Sequence, residues 1–306
     1  MNTGFPRWCA QVLQRFLPAS MLKMVSDEDY VRMAYLVLLH RPIDPAGLAA
    51  WREQLASPQF NRQRVVETLL SSKEYLTRFG VNLFDKMHSS RQAWIKTVPA
   101  ARSILDIGGS SANDPQGALI ELGYPHRPER LHILDLPPGQ QYWGRPKYDQ
   151  GVPHTFDWGE VRFFHGSAER LRNVEALQQE RYDMVFMGQA IEHVWPDALP
   201  DMLAWIRQHL DPDGWLVFDT PNRLLTSVQC PHSLIDPDHK HEYAPAELEA
   251  IVVGAGFAVK RRVGMLHLPV QATSRVYDVM EFAHAPLLSD DVDSCYLFAL
   301  EAQVAK

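Results

Sequence analysis

The sequence predicts an α/β protein: a parallel, doubly wound sheet preceded by an all-helical module. Three observations predict it. From Arg102 onward, short apolar runs alternate with amphipathic helical stretches, the pattern of strands joined by crossover helices. Two of those runs, "SILDIGGSS" and "RLHILDL", end in an acid or in glycines, where sheets of this kind bind ligands. Roughly the first eighty residues carry only helical periodicity and helix-start signals.

The 306 residues suffice for one large domain and a small one. With 46% hydrophobic and 22% charged residues the composition is that of a globular protein, and a net charge of −7 argues against a nucleic-acid partner. Cys9, Cys230 and Cys295 lie far apart and form no C-x-x-C pair or disulfide framework, which fits a reducing, cytoplasmic setting. No apolar run approaches the roughly 18–20 residues needed to cross a bilayer. Residues 1–25 read as an amphipathic helix, with Phe5, Trp8, Val12, Leu13, Phe16 and Leu17 opposite Gln11, Gln14 and Arg15. Those polar residues interrupt what would be a signal-peptide core. Docking on the protein's own body is favoured. Peripheral contact with the inner face of a membrane, or with a protein partner, is the second option, weakened because only Arg7, Arg15 and Lys23 supply positive charge. A homo-oligomer is left open.

Residues 26–80 read as a small helical module. Ser26 suits an N-cap before the acidic turn Asp27-Glu28-Asp29, and that helix ends near His40, before Pro42. Asp44 and Pro45 restart the chain as N-cap and first helical residue, and a third helix covers about 61–70. A short fourth starts at Ser71 or Ser72, and residues 80–100 lead helically into the next domain. The stretches "YLVLLHRPIDPAGLAAWREQL" and "LLSSKEYL" resemble a small helical family of unknown function found in bacterial proteins linked to surface glycans. The matching positions are Tyr35, Leu39, Arg41, Pro42, Asp44, Gly47, Trp51, Leu55, Ser72 and Glu74. The resemblance implies an interaction or positioning role, while caps, turns and core explain the same residues.

In the main domain, strands are expected at 103–107, 130–136, 161–166, 182–188, 214–220, about 258–264 and 294–303. Helices are expected in "DPQGALIELG", with Asp114 as cap, in "PDALPDMLAWIRQHL" and in "PAELEAIVVGAGF". Glycines after the first strand let the backbone approach a ligand. Asp135, ending the second strand, can accept both ribose hydroxyls of a nucleoside. The dinucleotide fingerprint G-x-G-x-x-G is absent after Gly108 and Gly109. Asp106, two residues before the first glycine, suits the α-ammonium of an amino-acid moiety and would repel a pyrophosphate.

On these residues the chain resembles the class I S-adenosylmethionine-dependent methyltransferases over about residues 84–306. "LDIGGSSA" resembles their first motif: Asp106 and Gly108 match, and Ser110 and Ala112 stand where further glycines are common. "LDL", "HGSAERL", "FMGQAIEHVW", "LDPDGWLVFDTPNR" and "HKHEYAPAELEAIVVGAGF" resemble the later segments in order. The resemblance implies a Rossmann-like doubly wound seven-stranded sheet. It implies S-adenosyl-L-methionine as cofactor, held by Asp106, Gly108, Gly109, Ser110, Asp135, Leu136, Ser167, Ala168 and Gln189.

Methyl transfer to a hydroxyl needs a base. The candidates cluster in "PHSLIDPDHKHEY": His232, Asp236, Asp238, His239, His241 and Glu242. His241 and His239 lead, and His193 stands outside the cluster. His239 and His241 could also face one way, with Asp236 or Asp238 completing a metal site. No H-x-x-x-H or cysteine-containing signature is present, and no metal is expected. The long connection 137–160, with Tyr142, Trp143, Tyr148, Trp158, Arg145 and Lys147, could cover an active site or be a structured surface loop. The leading expectation is O-methylation of a sugar, glycan or lipid-linked saccharide in bacterial glycan biosynthesis. The alternatives are a quinone-like small-molecule methyltransferase, a non-catalytic scaffold that retains the fold, and, third, a nicotinamide dehydrogenase.

Overall fold

The computed structural model describes residues 25–56, 62–70, 72, 74–75, 83–111, 114–137, 140, 149–268, 273–275, 281 and 285–306. The expected N-terminal helix through Met24, Ala112, and the loop residues Tyr142, Trp143, Arg145, Lys147 and Tyr148 lie outside the described residues. The chain divides into two compact units, Met1–Asn82 and Leu83–Lys306.

The first unit holds α1 (Asp27–Leu38), α2 (Pro45–Leu55) and α3 (Arg62–Leu70), and the first two start where their caps direct. The Ser26 hydroxyl accepts the Asp29 N–H at 3.1 Å, and the Asp44 carboxylate accepts the Gly47 N–H at 2.7 Å. Their apolar faces bury Val31, Ala34, Leu38, Trp51, Val65 and Val66. The indole of Trp51 donates to the Tyr35 hydroxyl at 3.0 Å. Arg41 grips Glu74 with two hydrogen bonds, 2.5 and 2.7 Å, and lies over the Tyr35 ring. The positions that carry the family resemblance here serve as caps, core and a local ion pair.

The second unit opens with α4 (Leu83–Ile95) and builds one sheet. Its long strands are β1 (Ser103–Ile107), β2 (Arg130–Asp135), β4 (Glu160–His165), β5 (Tyr182–Gly188), β6 (Leu210–Pro221), β7 (Phe257–His267) and β9 (Cys295–Val304). Two-residue strands, β3 (His154–Thr155) and β8 (Leu288–Ser289), extend the edges. The order is β3-β4-β2-β1-β5-β6-β9-β7-β8. The sheet therefore has nine strands where seven were expected. The additions are too short to carry a hydrophobic alternation, so the sequence pattern passes over them. Strands β4, β2, β1, β5 and β6 run parallel, and β9 lies antiparallel between β6 and β7.

Both faces of the sheet are covered, which is why its central strands are almost continuously apolar. On one face Leu105, Val185 and Met187 pack with Leu203 and Ile206 of α6 (Leu199–His209) and with Leu248 and Val252 of α8 (Pro245–Gly254). On the other, Ile104, Met184 and Phe186 pack with Trp94 and Ile95 of α4 and with Leu225 of α7 (Arg223–Gln229). Among the described residues no helix is long and apolar enough to cross a membrane.

One helix is shorter than expected. Instead of starting at Pro115, α5 spans only Ala118–Glu121. Asp114 caps a tight turn, accepting the Gln116 N–H at 2.8 Å, and Gly117 follows at φ +93°, outside the helical region. A Cβ on Gly117 would sit 2.4 Å from Ile133 Cδ1. The loop after β1 is thus longer than the sequence suggested, and Gly117 closes it.

The chain winds outward from β1 in both directions, to β2 on one side and β5 on the other. That switch of strand order leaves a crevice beyond the carboxyl ends of β1, β2 and β5.

Candidate active site

The first corner of this crevice is built by backbone. Gly108 takes φ +79° and donates its N–H to the Leu134 carbonyl at 2.8 Å, which ties the end of β1 to β2. The carboxyl group of Asp106 folds beneath the loop: an ideal Cβ on Gly109 would lie 2.2 Å from Asp106 Cγ. Asp106 is buried, and among the described residues its Oδ2 has no hydrogen-bond partner. Burial, reinforced by the neighbouring charge of Asp135, pushes its carboxyl group up to about 7.

The Ser110 N–H donates to Asp135 Oδ2 at 3.1 Å, and the Leu136 N–H to Asp135 Oδ1 at 2.7 Å. Leu136 itself is exposed beside this acid. The Ser110 hydroxyl is buried and has no partner among the described residues. Asp106, Gly108, Gly109, Ser110, Asp135 and Leu136 thus form one connected group. On the far side, the Gly166 N–H donates to the Asp135 carbonyl at 2.9 Å. Next to it Ser167 accepts the Glu169 N–H and starts a 3-10 turn at Ala168.

A second group lies at the ends of β5 and β6. Gln189 adopts φ +53°, its N–H donates to the Asp219 carbonyl at 3.0 Å, and its amide donates to Asp219 Oδ2 at 2.7 Å. Arg91 of α4 reaches the same carboxylate with two bonds, 2.7 and 3.1 Å. Asp219 is wholly buried. A Cβ on Gly188 would meet the Arg91 guanidinium at 2.5 Å, so glycine ends β5 to let this arm pass. Sequence reasoning missed Arg91, Asp219 and Gly117. Asp219, at the end of an apolar strand, carried the same signal as Asp106 and Asp135 and could have been found by it. Nothing in the sequence marks Arg91.

The third group joins the 3-10 turn after β5 to the histidine-rich segment before α8. The Glu192 carbonyl accepts the Lys240 N–H at 2.7 Å and the His241 N–H at 3.2 Å. The Glu192 side chain is buried: Oε2 accepts the Thr220 hydroxyl at 3.0 Å, and Oε1 has no partner among the described residues. Burial pushes this carboxyl group up to about 7. His239 and His193 meet edge to face, with ring centroids 4.9 Å apart. His239 Nδ1 lies 2.8 Å from Glu242, a buried carboxylate that also accepts the Ile235 N–H and the Thr226 hydroxyl.

For His239, burial acts to lower the pKa, but the bond to Glu242 and the charges of Glu192 and Glu242 outweigh it, and the pKa is raised. For His193, burial and the neighbouring His239 lower it. His241 does not join them: its imidazole bonds Glu247 in the first turn of α8 at 2.8 Å. His232 is exposed. Of the three leading base candidates the structure therefore brings two together. The pairing of His239 with His241 considered for a metal does not form, because His239 turns to Glu242 and His193 while His241 turns to Glu247.

A family model described as a domain of unknown function, DUF4214, matches residues 19–79. A search of curated proteins returned no match. The chain is similar in structure to an S-adenosylmethionine-dependent methyltransferase of Thermotoga maritima, at 16% identity and a TM-score of 0.48 over 75% of this chain and 94% of that one. It is also similar to one of Archaeoglobus fulgidus, at 17% identity and a TM-score of 0.47 over 75% and 97%. A third is the N-methyltransferase NodS of Bradyrhizobium japonicum, at 13% identity and a TM-score of 0.43 over 73% and 97%.

Proposed function

We propose that the chain is an S-adenosylmethionine-dependent methyltransferase whose acceptor is a hydroxyl of a sugar, glycan or lipid-linked saccharide. The observation that carries the cofactor assignment is the pair of strand-end acids: Asp135 accepts the Ser110 N–H, and Asp106 lies buried beneath Gly109 of the same loop. The one guanidinium described beside them, Arg91, is already held by Asp219. A crevice with this balance attracts a sulfonium and an ammonium group and repels a pyrophosphate. The residues fit such a ligand: Gly109 lets the Asp106 carboxyl group tuck beneath the loop, and Asp106 Oδ2 and the Ser110 hydroxyl are buried polar atoms still lacking partners among the described residues. Asp135 would hold the ribose hydroxyls, and the exposed Leu136 would lie against the base.

When bound, the cofactor supplies an activated methyl group for in-line displacement. The chain's part is to align the acceptor, exclude water and receive the hydroxyl proton in the cluster of Glu192, His193 and His239. The saccharide reading rests on the N-terminal resemblance and on the exposed Trp195, an aromatic face two residues beyond His193. We read residues 1–25 and 26–80 as positioning modules for a catalytic domain at 84–306.

The test is calorimetric titration with S-adenosylhomocysteine, with NAD as the control. Micromolar binding of the first alone, abolished by Asp135→Ala, is expected. Folded protein that binds NAD instead, or binds neither, refutes the assignment.

A further inference from the structure

We infer that Glu192, His193 and His239 form a binding site for a borderline divalent transition ion of the Zn2+ or Co2+ kind. One ligand atom from each lies within 4.8 Å of the other two. Ligands about 2.0–2.2 Å from such an ion stand roughly 3.4 Å apart, a difference that side-chain torsions close. The decisive feature is Glu192. Its side chain is buried, Thr220 fixes one oxygen at 3.0 Å, and the other oxygen has no hydrogen-bond partner among the described residues. A buried carboxylate oxygen left in this way needs a proton or a cation.

The neighbouring groups are arranged as they are around metal ligands. Glu242 takes His239 Nδ1 at 2.8 Å, which fixes the ring and leaves Nε2 to bind. Glu242 is itself locked by Ile235 and Thr226, so the ring has little freedom. His193 Nδ1 lies 3.3 Å from the Asp238 carbonyl, a second orienting contact. Two imidazoles and one carboxylate select a zinc-class ion over magnesium or calcium, and three protein ligands leave a coordination position open. The triad lies beyond the carboxyl end of β5, with Thr220 at the end of β6, on the sheet edge that also carries Asp106 and Asp135. An acceptor hydroxyl in the open position would become more acidic and release its proton to solvent, in place of the direct transfer to the metal-free cluster. That use rests on the methyl-transfer reading; occupancy of the site does not.

The sequence pointed elsewhere because the ligands come from two segments and include neither His241 nor a recognisable spacing motif.

The experiment strips the full-length protein with a chelator and titrates it with Co2+, reading visible absorption, and with Zn2+ by calorimetry. One ion per chain is expected. Glu192→Gln and His239→Gln should each weaken binding by at least about tenfold, and Glu242→Gln by about ten- to a hundredfold through loss of ring orientation. His88→Gln, at an exposed position on α4, should leave it unchanged. If Glu192→Gln does not fold, His193→Asn takes its place. Absence of Co2+ bands, or equal affinity in the ligand variants and the parent, overturns the site. Metal binding in protein that fails to bind S-adenosylhomocysteine supports the site and overturns only the methyl-transfer reading.

Discussion

The loop after β1 and the cluster around Glu192 occupy the same edge of one sheet, yet they are made in opposite ways. The first is backbone. Gly108 bends, Gly109 makes room, Ser110 donates an N–H, and the partners Asp106 and Asp135 lie at the ends of adjacent strands. The second is side chains delivered from separated segments, with Glu192 and His193 after β5 and His239 and Glu242 before α8. A backbone site tolerates few substitutions but needs few long-range contacts. A side-chain site depends on every element that brings its members together.

The largest expected effect lies between the two. Among the described residues, Arg91→Ala leaves the wholly buried Asp219 carboxylate with only the Gln189 amide as a side-chain partner. Breaking a buried ion pair from one side costs about 3–5 kcal/mol. Thermal or denaturant unfolding should show a loss of that order, and both corners should loosen. A loss below about 1 kcal/mol, the range of exposed pairs, would mean that Arg91 does not brace the crevice.

Gly109→Ala addresses the backbone corner alone. Its Cβ would lie 2.2 Å from the Asp106 carboxyl group, so the loop or the acid must move. Overpacking of this kind costs about 1–3 kcal/mol. S-adenosylhomocysteine affinity should fall sharply in calorimetry while Co2+ binding stays unchanged. Loss of both together would show that the two corners are not independent.

The smallest effect is a pH dependence. The Asp106 carboxyl group is raised from 3.8 to about 7, first by burial and then by Asp135. Because the folded-state value is the higher one, its contribution to stability is fully present below the unfolded value and is lost as pH rises through about 7. A bound ammonium group favours the ionised form, so ligand affinity should move the other way, rising by about tenfold between pH 6 and 8. Calorimetry at the two pH values measures it. A flat profile would place the ammonium away from Asp106.

Much of the backbone corner was legible in the sequence. Asp106, Gly108, Gly109 and Asp135 announced themselves because each ends an apolar run, and strand ends converge in a doubly wound sheet. Ser110 stands where a further glycine is common, and its N–H still reaches Asp135 because that bond needs only the backbone. The helix expected from Asp114 starts later, at Ala118, because a cap signal also fits a turn, and the packing of Gly117 against Ile133 separates the two. The clustering of acids and histidines in "PHSLIDPDHKHEY" favours His241 over His193, but clustering along the chain does not say which way each side chain points.

The sequence by itself determined the order of the seven long strands, the helix starts at Ser26 and Asp44, and the acids at two adjacent strand ends, because each is a matter of local periodicity and capping. The tertiary structure alone decided that Arg91 reaches Asp219, that His239 meets His193 instead of His241, and that Glu192 is buried with one oxygen unsatisfied among the described residues. Those facts depend on how separated segments pack onto the sheet, and the contacts between such segments leave no trace in the local spacing of residues.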